Sequence, residues 1–180
     1  ANFNALDAGP SIKVTGPNGS QTIPTNGSGQ FTLAAGTFLS PGAYTFTGAG
    51  GADIGSFTAP FTISAPVVLT SPASGPNVPV TRANGITLTW SGGASNSIIQ
   101  IQGNNATDNS GTIGESFTCF AAASAGTFTI PPSVLLTLPP GNFGGLQLQT
   151  YSAYGTFSAS GLNHSDITMF YSTPIFATFK

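Results

Sequence analysis

Ile86-Thr-Leu-Thr-Trp90 alternates apolar and hydroxyl side chains without a break, and Gly92-Gly93 stops the pattern two residues later. Successive side chains of a strand point to opposite faces, so Ile86, Leu88 and Trp90 fall on one side and Thr87 and Thr89 on the other. A helix would scatter the same five residues around its circumference. The stretch therefore reads as a half-buried strand, and the residues around it repeat the same grammar.

Toward the C-terminus, Ile99 and Ile101 form an inward pair between Gln100 and Gln102, and Gly103–Gly111 reads as a polar loop. Phe117, Cys119 and Ala121 share one face with Phe120 opposite, and Gly126-Thr-Phe-Thr-Ile130 alternates again. Leu146 and Leu148 interleave with Gln147 and Gln149. Further strands are expected at Thr156–Ala159, Ile167–Tyr171 and Pro174–Phe179. The last is apolar on both sides, which fits a strand central in a sheet or covered by another chain. Between paired prolines, Pro131-Pro132 and Pro139-Pro140, the run Val134-Leu-Leu-Thr-Leu138 reads as one or two helical turns near 132–138, because Pro is compatible with a helix's first turn.

Toward the N-terminus, Ile12–Thr15 and Ser20–Ile23 flank Gly16-Pro-Asn-Gly19, a hairpin signal. Gln30–Leu33, Ala43–Thr47 with Tyr44 and Phe46 on one side, and the stretch containing Phe57, Phe61 and Ile63 read as further strands. Pro60 marks that last stretch as an edge or a bulge. The segment Ser71-Pro-Ala-Ser-Gly-Pro76 cannot continue a strand, and Val78-Pro-Val80 is extended at best. A boundary falls near Ser64–Pro66. The expected fold is all-β: two small immunoglobulin-like β-sandwich units, the first, over residues 1–65, a sandwich or partial sandwich, and the second over residues 66–180. The first unit is small for an independent core and is expected to lean on other sequence.

No apolar period of three to four residues runs the length of a helix, and about a dozen short strands without interleaved helices is the pattern of sandwiches. Trp90 at the end of an early strand resembles immunoglobulin-like and fibronectin-type modules. The phrases Gly-Pro-Asn-Gly-Ser at 16–20, Pro-Gly-Ala-Tyr-Thr-Phe at 41–46 and Gly-Thr-Phe-Thr-Ile-Pro-Pro-Ser-Val-Leu-Leu at 126–136 are similar to exported proteins of soil bacteria that carry such modules. The resemblance implies a fold and an extracellular or cell-surface location in bacteria. It implies no activity.

Only eight of the 180 residues are charged, three basic and five acidic, for a net charge of −2. Three cations cannot form the basic stripe that a nucleic-acid backbone needs, so nucleic acid is excluded as a partner. No apolar run is long enough for a membrane span. The N-terminus has no basic flank followed by an apolar stretch, so no secretory leader is read there; Ala1 reads as the residue after a cleavage point or as an arbitrary start. One cysteine, Cys119, leaves no partner for an intrachain disulfide, including the inter-sheet bridge of antibody domains. Weak net repulsion favours a homo-oligomer or filament, or contact with neighbouring modules of a larger protein.

Chemistry has little to work with. Asp108 and Glu115 bracket a loop and are the one pair that reads as a cation site, although a calcium loop uses denser oxygen ligands. Asn163-His-Ser-Asp166 contains the letters of a hydrolytic triad, but neighbours on a short turn seldom point into one site; an Asx-type turn is the plainer reading. Cys119, between aromatics, reads as packed and inert. No catalytic residue and no cofactor is expected. A sugar-binding face is the alternative to a structural role, with Gln147, Gln149, Tyr151 and Tyr154 as its residues. For assembly, either the N-terminal Ala1–Gly9 or the terminal strand Pro174–Phe179, with Ile175, Phe176 and Phe179, could add to an edge of the next copy.

Overall fold

The computed structural model describes residues 5–32, 38–73, 75–111 and 113–180, the side chains of 152–154 excepted. The protein is all-β, with several antiparallel sheets and one short helix. It divides into two compact units, Ala1–Ser64 with Ala153–Met169, and Ala65–Ser152 with Phe170–Lys180.

The first unit is built on β1 (Ser11–Gly16), β2 (Gly19–Pro24), β3 (Gly42–Gly48) and β4 (Phe57–Ile63), ordered β2-β1-β3-β4 and antiparallel throughout. The hairpin at Pro17-Asn18 forms as its sequence predicts, with Gly16 opposite Gly19. Its core draws on alternate residues of the strands, Val14, Ile23, Tyr44, Ala59 and Ile63, together with Phe38 and Ile54. The buried Tyr44 hydroxyl accepts from the Ser40 N–H at 2.8 Å and lies 3.0 Å from the Ser40 carbonyl, so its polar end is satisfied. β4 is one strand, with Pro60 pointing outward on the sheet edge. The strand expected at Gln30–Leu33 shrinks to a single bridge between Thr25 and Phe31, and Leu33 lies outside the described residues.

This unit also takes in a C-terminal segment that the sequence assigns to the second module. The Phe157 ring packs on Phe57 with centroids 5.0 Å apart, and the Gly55 N–H donates to the Ser160 carbonyl at 2.9 Å. The need for such a supplement is legible in the short first module, but its source is not. Phe157 alternates with Thr156 and Ser158, yet the strand expected at Thr156–Ala159 does not continue past Thr156.

The second unit is a β-sandwich. One sheet holds β5 (Val67–Ser71), β7 (Ile86–Gly92) and β10 (Thr127–Ile130) in the order β10-β7-β5. The other holds β6 (Val78–Val80), β8 (Ile98–Ala106), β9 (Gly114–Ala122), β11 (Gly145–Thr156) and β12 (Asp166–Phe179) in the order β6-β12-β11-β8-β9. Strands β11 and β12 contribute residues to both units. A single core joins the two sheets: Val67, Leu88, Trp90 and Ile130 from one, Ile99, Ile101, Leu146, Leu148, Ile175, Ala177 and Phe179 from the other. The buried Trp90 indole donates to the Ala123 carbonyl at 2.8 Å. In the three-stranded sheet β7 is paired antiparallel on both sides, to β5 and to β10. In the five-stranded sheet β6 runs parallel to β12.

Three local expectations change. β8 runs on to Ala106 where a loop is expected from Gly103, because Gly103 lies under the Phe117 ring and the buried Asn105 donates to the Pro139 carbonyl at 2.8 Å. Val78–Val80 is a paired strand. Residues 166–179 form one strand, Pro174 included, since its fixed φ is compatible with extended backbone. The helix α1 (Pro132–Leu135) starts on Pro132 and, with the turn after it, buries Leu135 and Leu138.

Candidate functional site

Alternation along β8, β9, β11 and β12 that turns isoleucines and leucines into the core turns a second set outward. Gln147 faces Gln102 and Gln149 faces Gln100 across the β11–β8 pair, and Gln100 and Gln102 face Phe120 and Thr118 across the β8–β9 pair. Four amides thus form a block at the middle of the sheet. Gln147 Nε2 donates to Ser172 Oγ on β12.

Aromatic and aliphatic groups surround this block. Phe120 and Phe176 are each 62% exposed, and Phe170, Ile98 and Tyr151 are also exposed. The Tyr151 and Phe170 rings meet edge to face with centroids 6.3 Å apart, and the Tyr151 hydroxyl points at Gln100 Oε1, 3.5 Å away. Exposed single hydrophobes are ordinary, but a cluster on one face marks an interaction surface. No Lys, Arg, Asp or Glu lies among these residues.

At one end the face opens into a cleft of about 490 Å³. Its walls carry Asn104, Asn109 and Asn142 beside Phe143, Phe176 and Gln147, and the last two join it to the flat face. Its size is that of a small-molecule site, and its lining is neutral, amides beside aromatic rings.

The outward side of the three-stranded sheet is different in kind. Thr70 and Thr89 hydroxyls bond at 2.8 Å, as do Thr87 and Thr129, and the Thr127 hydroxyl reaches the Leu88 carbonyl at 3.2 Å. Those hydroxyls satisfy one another across strands. Of the two faces, the amide and aromatic one carries more exposed large hydrophobic side chains, Ile98, Phe120, Tyr151, Phe170 and Phe176 against Val68.

Gln147, Gln149 and Tyr151 all lie on this face, whereas the Tyr154 side chain lies outside the described residues. Gln100, Gln102, Phe120 and Phe170 belong to it as well. Their outward parity is readable from the sequence, but which strands are neighbours is not.

The other candidates separate. Asp108 sits in the β8–β9 loop, where Oδ1 accepts from the Ser110 N–H at 2.8 Å and from its hydroxyl at 2.5 Å. The Ser110 hydroxyl, then its N–H, holds the Asp108 carboxyl below the ordinary aspartate range. Glu115 is on β9 opposite Asn105. Among the described residues, no three of His, Cys, Asp and Glu gather as a metal site. His164 Nε2 meets Asp166 Oδ2 at 2.8 Å in the open, while the Ser165 hydroxyl donates to the Phe157 carbonyl instead of to His164. Burial pushes the Cys119 thiol up, which disfavours the reactive thiolate.

The three assembly residues lie in different environments. Ile175 and Phe179 are core residues, and their strand is hydrogen-bonded to β6 on one side and neighbours β11 on the other. It has no free edge to add to another copy at Ala177–Phe179, and Phe176 alone of the three is exposed.

No protein-family model matches the chain, and neither a curated protein nor a solved structure is significantly similar to it.

Proposed function

We propose that the chain is a non-catalytic extracellular structural or adhesion module of a bacterial surface, and that it works through the outer face of its five-stranded sheet. The observation that carries this reading is the block of Gln100, Gln102, Gln147 and Gln149, ringed by exposed Phe120, Tyr151, Phe170 and Phe176 without an ionic group.

Within that reading, the ligand class best supported is a neutral glycan. Sugars offer hydroxyls, which amides match as both donors and acceptors, and flat C–H faces, which aromatic rings cover. An anionic polysaccharide would need cations that this face lacks. The neighbouring cleft with its three asparagines extends the same chemistry into a concave site. A fibre built by adding residues 174–179 to the next copy is less well supported, since the core uses that segment.

Retention on insoluble neutral polysaccharides and a glycan array tests the proposal. Wild type is expected to bind at least one neutral glycan, and Tyr151→Ala to weaken it about tenfold, the equivalent of ~1.4 kcal/mol. No binding to any neutral glycan, or binding untouched by Tyr151→Ala and Gln149→Ala, would overturn the glycan reading.

A further inference from the structure

Among the described residues six strands end the three sheets, and five of them are guarded. β2 is six residues long and stops on Pro24; β4 has Pro60 at its centre. β5 is broken by a register shift between Leu69 and Ser71; β6 is three residues around Pro79; β10 is four residues that run into Pro131-Pro132. These are the usual devices by which proteins keep an open row of backbone N–H and C=O groups from pairing with another chain.

β9 has none of them. It is nine residues long, pairs in unbroken register with β8 from Gly114 to Ala122, and contains no Pro and no Lys. Among the described strands β8 is its only partner. Phe120, 62% exposed, lies on it, and Ile113, 66% exposed, immediately precedes it. Its single charge, Glu115, sits at one end.

We infer that β9 is the site at which a second copy of this chain pairs, antiparallel and across a two-fold axis normal to the sheet. An isologous contact asks that a surface complement itself, and β9 does. With the axis at Thr118, the central residue, Thr118 lies opposite its own counterpart, Ser116 opposite Phe120 and Glu115 opposite Ala121. The two carboxylates are then carried to opposite ends of the ladder, where they do not repel. Placing the strands side by side fills both rows of backbone groups and covers Phe120. Because the axis is normal to the sheet, both amide and aromatic faces look the same way, so the pair offers a doubled platform. The pairing closes on itself: the product is a dimer, not a filament. Phe120 belongs both to the amide face, opposite Gln100, and to this edge.

Light scattering after size exclusion, on the full chain and two variants, tests it. Wild type is expected to have twice the chain mass. Thr118→Lys sets two ammonium groups directly opposite each other, where like charges destabilise a pair, and is expected to run as a monomer with an unchanged strand spectrum. Thr118→Cys in a Cys119→Ser background is expected to form a covalent dimer on air oxidation, because directly opposed Cα atoms about 4.5–5.5 Å apart fall within disulfide reach. A wild-type mass of one chain at every concentration would overturn the inference. So would a dimer that survives Thr118→Lys and leaves Thr118→Cys uncrosslinked.

Discussion

Asp7 carries much of the order at the start of the first unit. Its carboxylate accepts from the Gly9 N–H at 2.8 Å and the Ala52 N–H at 3.1 Å, while its own N–H donates to Asp53 Oδ2 at 2.8 Å. The Gly9 bond, then the Ala52 bond, holds its pKa below the ordinary aspartate range. A carboxylate whose pKa is lower in the folded than in the unfolded chain stabilises above the unfolded value, and that contribution is lost as pH falls through the folded value. Asp108 has the same sign. Melting temperature is therefore expected to fall on acidification through and below the aspartate range, and Asp7→Asn with Asp108→Asn to flatten that fall; an unchanged acid limb would contradict the assignment. Gly103 makes a second residue-scale case. A Cβ there would lie 2.3 Å from the Phe117 ring, so Gly103→Ala is expected to cost about 1–3 kcal/mol in denaturant unfolding. Neither role is legible in the sequence. The Ala52 and Asp53 partners of Asp7 lie in a distant loop and the Phe117 neighbour of Gly103 lies on β9, and nothing local to either residue announces them.

At the scale of elements, alternation told most of the story. Ile86–Trp90, Ile99 with Ile101, and Leu146 with Leu148 put the expected residues in the core, because period two allows no other assignment once one face is buried. Alternation does not say which strands adjoin. Gln100 and Gln149 are far apart in the chain and become partners through the β11–β8 register, so half of the amide block was hidden. Polarity does not end a strand at Asn104 and Asn105, and neither does Pro174, so element lengths are less legible than element faces. The two outer faces also differ in a testable way. Thr87→Ala on the three-stranded sheet removes a cross-strand hydroxyl pair and is expected to cost about 0.2–1 kcal/mol without altering glycan retention, whereas Phe170→Ala is expected to lower retention while leaving the melting temperature near wild type.

For the whole molecule, the scarcity of charge is the governing property. With a net charge of −2 and no ion on the amide face, both glycan retention and dimer mass are expected to be the same in dilute buffer and at high salt; a steep salt dependence would point to an ionic surface in their place. Composition alone announced a surface poor in charge, with three basic residues in the whole chain. It did not say where the surface works, since amides and hydroxyls are spread over the entire chain. The most direct test is a titration of a retained neutral oligosaccharide into isotopically labelled protein, following side-chain amide resonances. Shifts of Gln100, Gln102, Gln147 and Gln149, with the rings of Tyr151 and Phe170, are the expected result. Shifts confined to residues elsewhere, or none with any neutral sugar, would contradict the claim that this face is where the protein meets its ligand.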